Sequence, residues 1–77
     1  MQVRYDSDAD AVYVKLRPGR SERTREIDTL RIVDYDENGE VLGVEFLCVS
    51  RGVDPRGVPH ADLAAEALRS IPQPTGG

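Results

Sequence analysis

Residues 30–49 read LRIVDYDENGEVLGVEFLCV, and this stretch decides the fold. Two apolar runs lie on either side of the polar segment Asp36–Gly39. Asp at the first position of a turn and Gly at the fourth are typical of a type I turn closed by a left-handed glycine. The pattern therefore predicts a β-hairpin that runs from Leu30 to Val49.

The turn also predicts the register of this hairpin. Pairing outward from the turn places Asp36 opposite Glu40 and Arg31 opposite Glu45, where the second pair would form a cross-strand ion pair. One face would then carry Leu30, Ile32, Leu42, Val44 and Phe46, and the other Val33, Tyr35, Val41 and Leu47. Soluble monomers avoid large exposed apolar faces. We therefore predict that a second protomer covers Val33, Tyr35, Val41 and Leu47, and that the chain is a homo-oligomer.

A second hairpin precedes the first. Val3 and Tyr5, and then Val12, Val14 and Leu16, alternate with other residues as half-buried strands do. The turn-forming segment Asp6–Asp10 joins them, and Pro18-Gly19 ends the second strand. Residues 21–27 are polar, and the sequence leaves open whether they form an edge strand or a loop.

The C-terminal part predicts one helix over about residues 59–70. Pro59 suits the first helical position, and Pro72 ends the helix. An apolar stripe at helical spacing consists of Leu63, Ala64, Ala67, Leu68 and Ile71. We expect Leu63, Ala67, Leu68 and Ile71 to pack on one sheet face. The predicted fold class is α+β: a small antiparallel β-meander of four to five strands with one C-terminal helix. We expect residues 1–71 to form a single domain and residues 72–77 to form a flexible tail.

Composition narrows the function classes. The chain has 77 residues, one cysteine, one histidine and a net charge of −4. A single cysteine, Cys48, forms no intramolecular disulfide, and the acidic balance disfavours nucleic acid as a partner. The start of the chain lacks the pattern of a secretory signal, and the longest apolar run is too short to span a bilayer. We therefore predict a cytoplasmic protein with no membrane association. The glycines match no dinucleotide or P-loop pattern, so we expect no cofactor.

The sharpest motif is an acidic loop with calcium-binding spacing. Asp34, Asp36, Asn38, Gly39 and Glu45 match the pattern of an EF-hand loop. Such a loop must lie between two helices, whereas these flanks predict strands. The candidate metal ligands are therefore Asp34, Asp36, Asn38 and Glu45, and the competing interpretation is a plain hairpin turn.

Three other groups of residues are candidate functional sites. Asp6, Asp8 and Asp10 have the spacing of oxygen ligands but are also typical of a solvated turn. His60 could act as a general base with Ser50 or Asp54 within reach, although no spacing requires it. A basic strip at Arg17, Arg20, Arg23 and Arg25 could contact an acidic partner or a single nucleic-acid strand, although a solvated surface is the simpler interpretation. We predict no catalytic residues.

The two hairpins together resemble a known family. The residues that carry the resemblance are Tyr5-Asp6, Asp10 to Val14, Ile32, Asp34, Asp36-Glu37, Gly39, Val41, Gly43 to Glu45, Leu47 and Ser50. They are similar to the prokaryotic family called domain of unknown function 2283, over about residues 3–50. The resemblance implies a small β-meander without assigned enzymatic activity. Some members are suspected, from gene context, of association with toxin–antitoxin pairs.

These observations favour a protein that binds and does not catalyse. The leading hypothesis is a protein-interaction module, antitoxin-like in its role. The alternative is an acidic metal- or small-ligand-binding module that uses the Asp34–Glu45 loop. A further alternative is a small enzyme centred on His60.

Overall fold

The computed structural model describes residues 2–69. Five strands come first: β1 (Gln2–Asp6), β2 (Ala11–Lys15), β3 (Arg23–Asp28), β4 (Arg31–Tyr35) and β5 (Val41–Leu47). A 3-10 turn (Val49–Arg51) and helix α1 (Ala61–Arg69) follow. The predicted α+β architecture, an antiparallel meander with one C-terminal helix, is confirmed. Within residues 2–69, no helix has the length and apolar character that crossing a bilayer requires.

The strands form one antiparallel sheet in the order β1-β2-β5-β4-β3. Strand β5 is central, and β1 and β3 are the two edges. Residues 21–27, for which the sequence does not decide between strand and loop, therefore contain an edge strand. Five of the six β3 residues are exposed and four are charged, and exposed charges are one way in which edge strands avoid pairing with other chains.

One face of the sheet, called here the covered face, carries the core. Val12, Val14, Val33, Val44 and Phe46 are each at most 1% exposed. Helix α1 packs against β1 and β2, and it contributes Ala64, Ala67 and Leu68 to the same apolar cluster, together with Val49 and Val58 from the connecting segment. The core is thus a layer of valines closed by small helical side chains.

The opposite face, called here the open face, is a grid of three rows that run across the strands. The upper row is Gln2, Lys15, Gly43, Asp34 and Thr24; the central row is Arg4, Tyr13, Glu45, Ile32 and Glu26; the lower row is Asp6, Ala11 and Leu47. Facing residues on neighbouring antiparallel strands point to the same side of a sheet, so each row shares this face.

A bulge corrects the predicted register of the second hairpin. The turn itself is as expected, since Asp36 N donates to Glu40 O at 2.9 Å and Gly39 has a left-handed φ of 79°. The register then shifts by one residue, so that Tyr35 faces Val41 but Asp34 faces Gly43. Leu42 is the extra residue. A period-two pattern contains no signal for such an insertion.

The shift exchanges the faces that the sequence assigned to β4. Ile32 lies on the open face beside Glu45, whereas Val33 pairs with Val44 in the core. The predicted Arg31–Glu45 ion pair is wrong, because Arg31 faces Phe46 on the covered side. Arg31 instead pairs with Asp28 at 2.6 Å.

Arg31 also holds the segment that leads to the helix. Its guanidinium donates to the carbonyl oxygens of Asp54 and Arg56. A charged group that bonds several backbone carbonyls at once fixes an otherwise irregular loop. The connecting segment is therefore held over the core at the Arg31 end of the sheet.

Two details of the predicted helix are also corrected. The helix begins at Ala61, because His60 has a left-handed φ of 55° and Pro59 lies before it in a turn. Ala67 and Leu68 are buried as predicted, but Leu63 is 39% exposed and Ala64 takes its place in the core. Ile71 and the predicted tail, residues 72–77, lie outside the described residues.

A polar clip joins the tip of the first hairpin to the end of β5. Asp10 accepts hydrogen bonds from Ser50 N at 2.9 Å and from Ser50 Oγ at 2.7 Å, and Asp10 O accepts one from Val49 N at 3.1 Å. Asp10 has a φ of 52°, a conformation that Asp tolerates better than most residues. The Asp10 side chain therefore supports the clip both by accepting these hydrogen bonds and by allowing the left-handed backbone conformation.

We expect Asp10→Ala to lower the free energy of unfolding by about 2 kcal/mol, because it removes a charged acceptor and strains the left-handed backbone. Urea unfolding followed by circular dichroism measures this. The matched control is Asp8→Ala on the same exposed turn, which should change the free energy of unfolding by less than about 0.5 kcal/mol. Equal effects from both substitutions would contradict a structural role for the clip.

Candidate functional site

Tyr13 lies at the centre of the open face and leans onto β5. A Cβ atom at Gly43 would lie 2.6 Å from Tyr13 Cζ and 2.8 Å from Val14 O. Cβ atoms do not approach other atoms so closely, so only glycine allows the ring to rest there. Gly43 thus provides the space in which the Tyr13 ring packs.

Asp34 fixes the other end of the tyrosine side chain. Tyr13 Oη donates to Asp34 Oδ2 at 3.0 Å, and Thr24 Oγ1 donates to Asp34 Oδ1 at 2.8 Å. The three side chains come from β2, β4 and β3, which brings residues far apart in the sequence into one network. Both carboxylate oxygens therefore have a donor, and the tyrosine is held in one orientation.

This environment keeps the Tyr13 hydroxyl protonated. Partial burial raises the pKa of Tyr13 from its ordinary value of about 10 to about 12, and the hydrogen bond to Asp34 and the negative charges of Asp34 and Glu45 add to the effect. All of these causes disfavour the phenolate. Tyr13 is consequently a hydrogen-bond donor and an aromatic surface, and the ionised form required of a base is absent at neutral pH.

Two shallow depressions lie on either side of Tyr13. Gln2, Arg4, Lys15, Gly19, Ser21 and Leu42 line one together with Tyr13. Arg4, Asp6, Ala9, Ala11 and Glu45 line the other. Arg4 and Tyr13 border both, so a cation and an aromatic ring form the ridge between them. This arrangement is suited to contact with another surface and not to enclosing a small molecule, since small-molecule sites bury most of their ligand.

The candidate metal ligands do not converge. Asp34 is engaged by Tyr13 and Thr24, and Asp36 Oδ1 accepts hydrogen bonds from the backbone of Asn38 at 2.9 Å and of Glu40 at 3.0 Å. Glu45 lies one row away from Asp34. Over residues 2–69, no group of three or more His, Cys, Asp or Glu side chains has the geometry to hold a metal ion. Asp34 and Asp36 instead accept hydrogen bonds that stabilise the sheet and the hairpin turn.

The other candidates from the sequence are also engaged locally. Asp6 Oδ1 accepts from Asp8 N at 3.0 Å and from Ala9 N at 3.2 Å, which is a turn motif. Asp10 belongs to the clip with Ser50. The structure does not gather the three aspartates around a common point.

His60 is exposed at the start of the helix, and its two proposed helpers are occupied. Ser50 Oγ donates to Asp10. Asp54 accepts from the Arg56 guanidinium, which is the main reason that the pKa of Asp54 is lowered to about 2. A carboxylate held in this way is a poor proton acceptor.

The basic strip is divided between two places. Arg17 lies 3.4 Å from Glu40 and 4.0 Å from Asp36. Arg23 and Arg25 lie on β3 opposite Tyr35 and Val33. Acidic side chains thus partly neutralise the strip at Arg17, while Arg23 and Arg25 stay exposed on β3.

The predicted interface residues are also divided between the two faces. Val33 is fully buried in the core, and Tyr35 and Val41 flank it on the covered face. Leu47 lies on the open face in the lower row. Oligomerisation stays a prediction, but the surface proposed for it is not continuous.

Sequence reasoning missed the side chains around Tyr13. Tyr13 enters the sequence-based predictions only through the family resemblance, and Arg4, Lys15 and Thr24 are absent from them. One usable signal existed, because a glycine inside a strand marks a bulge or the close approach of another group. Gly43 marks both here.

The comparisons with known proteins agree with the predicted resemblance. The family model described as "Protein of unknown function (DUF2283)" matches residues 2–50. An uncharacterized protein of Methanocaldococcus jannaschii is 33% identical over 51 residues, which are 66% of this chain and 43% of that protein. The chain thus matches less than half the length of that relative. No solved structure matches the chain significantly.

We expect Gly43→Ala to destabilise the protein by about 2 kcal/mol, because the new methyl group displaces the Tyr13 ring and crowds the β2 backbone. A double-mutant cycle with Tyr13→Ala, measured by urea unfolding, separates the two effects. Coupling of about 1 kcal/mol is expected between these residues in contact. Strict additivity would mean that the ring does not rest on Gly43.

We also expect one tyrosine to ionise near pH 12 in a spectrophotometric titration, and Tyr13→Phe to remove this transition. Because the folded-state pKa is raised, the stabilisation is complete below pH 10 and is lost as the pH rises towards 12. Asp34→Asn should lower the pKa, since it removes the negative acceptor. An ionisation near pH 12 that persists in Tyr13→Phe would contradict its assignment to Tyr13.

Proposed function

This chain belongs to the DUF2283 family of proteins of unknown function, and from that premise we propose that it is a non-catalytic protein-interaction module. The open face of the sheet, centred on Tyr13, is the proposed binding surface. The observation that carries the proposal is the network in which Gly43 and Asp34 hold Tyr13 in a fixed position on the partly apolar face of the sheet opposite helix α1.

The side chains of the open face have the character of a protein interface. Tyr13, Ile32 and Leu47 are half-buried in the free chain, and a partner would cover what remains exposed. Charged side chains surround them, with Arg4 and Glu26 exposed at the two edges. An aromatic and aliphatic centre within a polar rim is the usual anatomy of a non-obligate interface, in which Tyr and Arg often dominate the binding energy.

The fixed position of Tyr13 favours binding. A side chain ordered only on association costs about 0.5–1.5 kcal/mol of binding free energy. Tyr13 is already held between Gly43 and Asp34, so most of this cost is met when the chain folds.

The partner is a protein, and the family context makes a co-encoded toxin the first candidate to test. The antitoxin-like role predicted from the resemblance fits a small acidic chain that neutralises by covering another surface. Of the two alternatives, metal binding at Asp34, Asp36, Asn38 and Glu45 requires the acids to release their present hydrogen bonds. An enzyme centred on His60 lacks a free helper among Ser50 and Asp54.

The test compares two leucine variants in a pull-down of the tagged full chain. Leu47→Lys places a charge on the open face, and Leu63→Lys places one on the exposed side of the helix, where Leu63 is 39% exposed. We expect Leu47→Lys to abolish capture of a protein that is otherwise recovered near equimolar amounts, and Leu63→Lys to retain it. Circular dichroism verifies that both variants fold, and the captured protein is then rebound in purified form.

Two results would count against the proposal. Capture that is lost equally in both leucine variants would place the binding surface elsewhere. Heat released on titration of the purified chain with millimolar calcium, and lost in Asp36→Asn, would favour the metal-binding alternative.

A further inference from the structure

The open face is electrostatically polarised across its five strands. Its cations, Arg4 and Lys15, lie on β1 and β2. Most of its acids, Glu45, Asp34 and Glu26, lie on β5, β4 and β3. Asp6 is the acid on the cationic side, and its carboxylate accepts from the backbone of its own turn.

Because the charges are separated by strand, a second copy can complement the first. We infer that two copies of this chain pack open face to open face, related by a two-fold axis parallel to the central strand β5. This inference rests on the proposed function, since it names a second copy of the chain as the partner of that surface. Two sheets packed face to face lie about 10 Å apart, within reach of paired long side chains.

The rows of the grid show why this axis fits. Rotation about an axis along β5 superposes each row on the same row of the second copy and exchanges its two ends. Arg4 then meets Glu26 of the second copy, and Lys15 meets Asp34. Both contacts occur twice because the dimer is symmetric. Four ion pairs therefore form a ring around the centre of the interface.

The uncharged positions complement each other as well. In the central row, the backbone position of Tyr13 faces Ile32 of the second copy, and in the lower row Leu47 meets Leu47. Gly43 lies on the axis in the upper row, and the Tyr13 ring packs on it, so the Tyr13 rings of the two copies meet close to the axis. The half-buried apolar side chains of the open face thus cover one another.

The other face-to-face arrangement is unfavourable. An axis perpendicular to the strands would place Arg4 opposite Arg4 and Glu45 opposite Glu45 of the second copy, and like charges in close opposition cost binding energy. With the axis along β5, the only charged residue of the grid that faces its own copy is Glu45. Glu45→Gln should therefore tighten the dimer that we infer.

Charge reversal with rescue tests the arrangement by sedimentation equilibrium of the full chain. We expect the wild type to be dimeric at micromolar concentration, and Arg4→Glu or Glu26→Arg alone to weaken association about tenfold or more. The double variant Arg4→Glu with Glu26→Arg should recover dimerisation. These positions lie on opposite edge strands, about 19 Å apart within one chain from four inter-strand spacings, so only an intermolecular contact explains rescue. Arg51→Glu, an exposed arginine beyond the sheet, is the matched control and should leave association unchanged.

Several outcomes would overturn the inference. A wild type that remains monomeric at about 100 times this concentration would do so, as would a dimer indifferent to Arg4→Glu or a double variant without recovery. The proposed function would survive that failure if a different protein is captured and Leu47→Lys abolishes its capture. It would fail together with the inference if the chain is monomeric and Leu47→Lys changes no interaction.

Discussion

The contact between Tyr13 and Gly43 is the constraint on which the open face depends. A ring that crosses from β2 to β5 requires a position without a side chain, and it requires an acceptor on the far side of β5. Gly43 meets the first requirement and Asp34 the second. The bulge at Leu42 brings Gly43 opposite Asp34. Without that extra residue, Asp34 would face Leu42, and the tyrosine would lack its acceptor.

The sequence was sufficient to predict the elements, but not their exact alignment. The hairpin turn at Asp36–Gly39 carries its own chemistry and formed as predicted. The apolar alternation does not show the bulge, because Leu42 is as apolar as Val41, and Gly43 is its one local signal. This one unpredicted residue exchanged the faces of β4. Most errors in the predicted site follow from this exchange, since Val33 moved into the core and Ile32 onto the open face.

The helix and the clip illustrate the same distinction. Pro59 indicated a helix start, but the left-handed turn at His60 delayed it to Ala61. The hydrogen bonds from Ser50 to Asp10 join residues 40 positions apart, and no local rule predicts such a pair. Interactions between side chains of distant strands, including the Tyr13 network, became visible only when the topology was known. The family match ends at residue 50, so it covers the whole sheet and this clip.

The edge strand β3 has a consequence for how the protein avoids polymerising. Two copies of an edge strand can pair side by side, antiparallel, around a two-fold axis perpendicular to the sheet. Facing residues then point to the same side of the sheet. Each residue therefore faces either its own copy or a residue an even number of positions away in the sequence. On β3, registers centred on Thr24, Arg25 or Glu26 then oppose Arg23 to Arg25, Arg25 to itself, or Glu26 to itself. Every central register is repulsive. The charges of β3 therefore oppose the side-by-side pairing of two sheets through this edge.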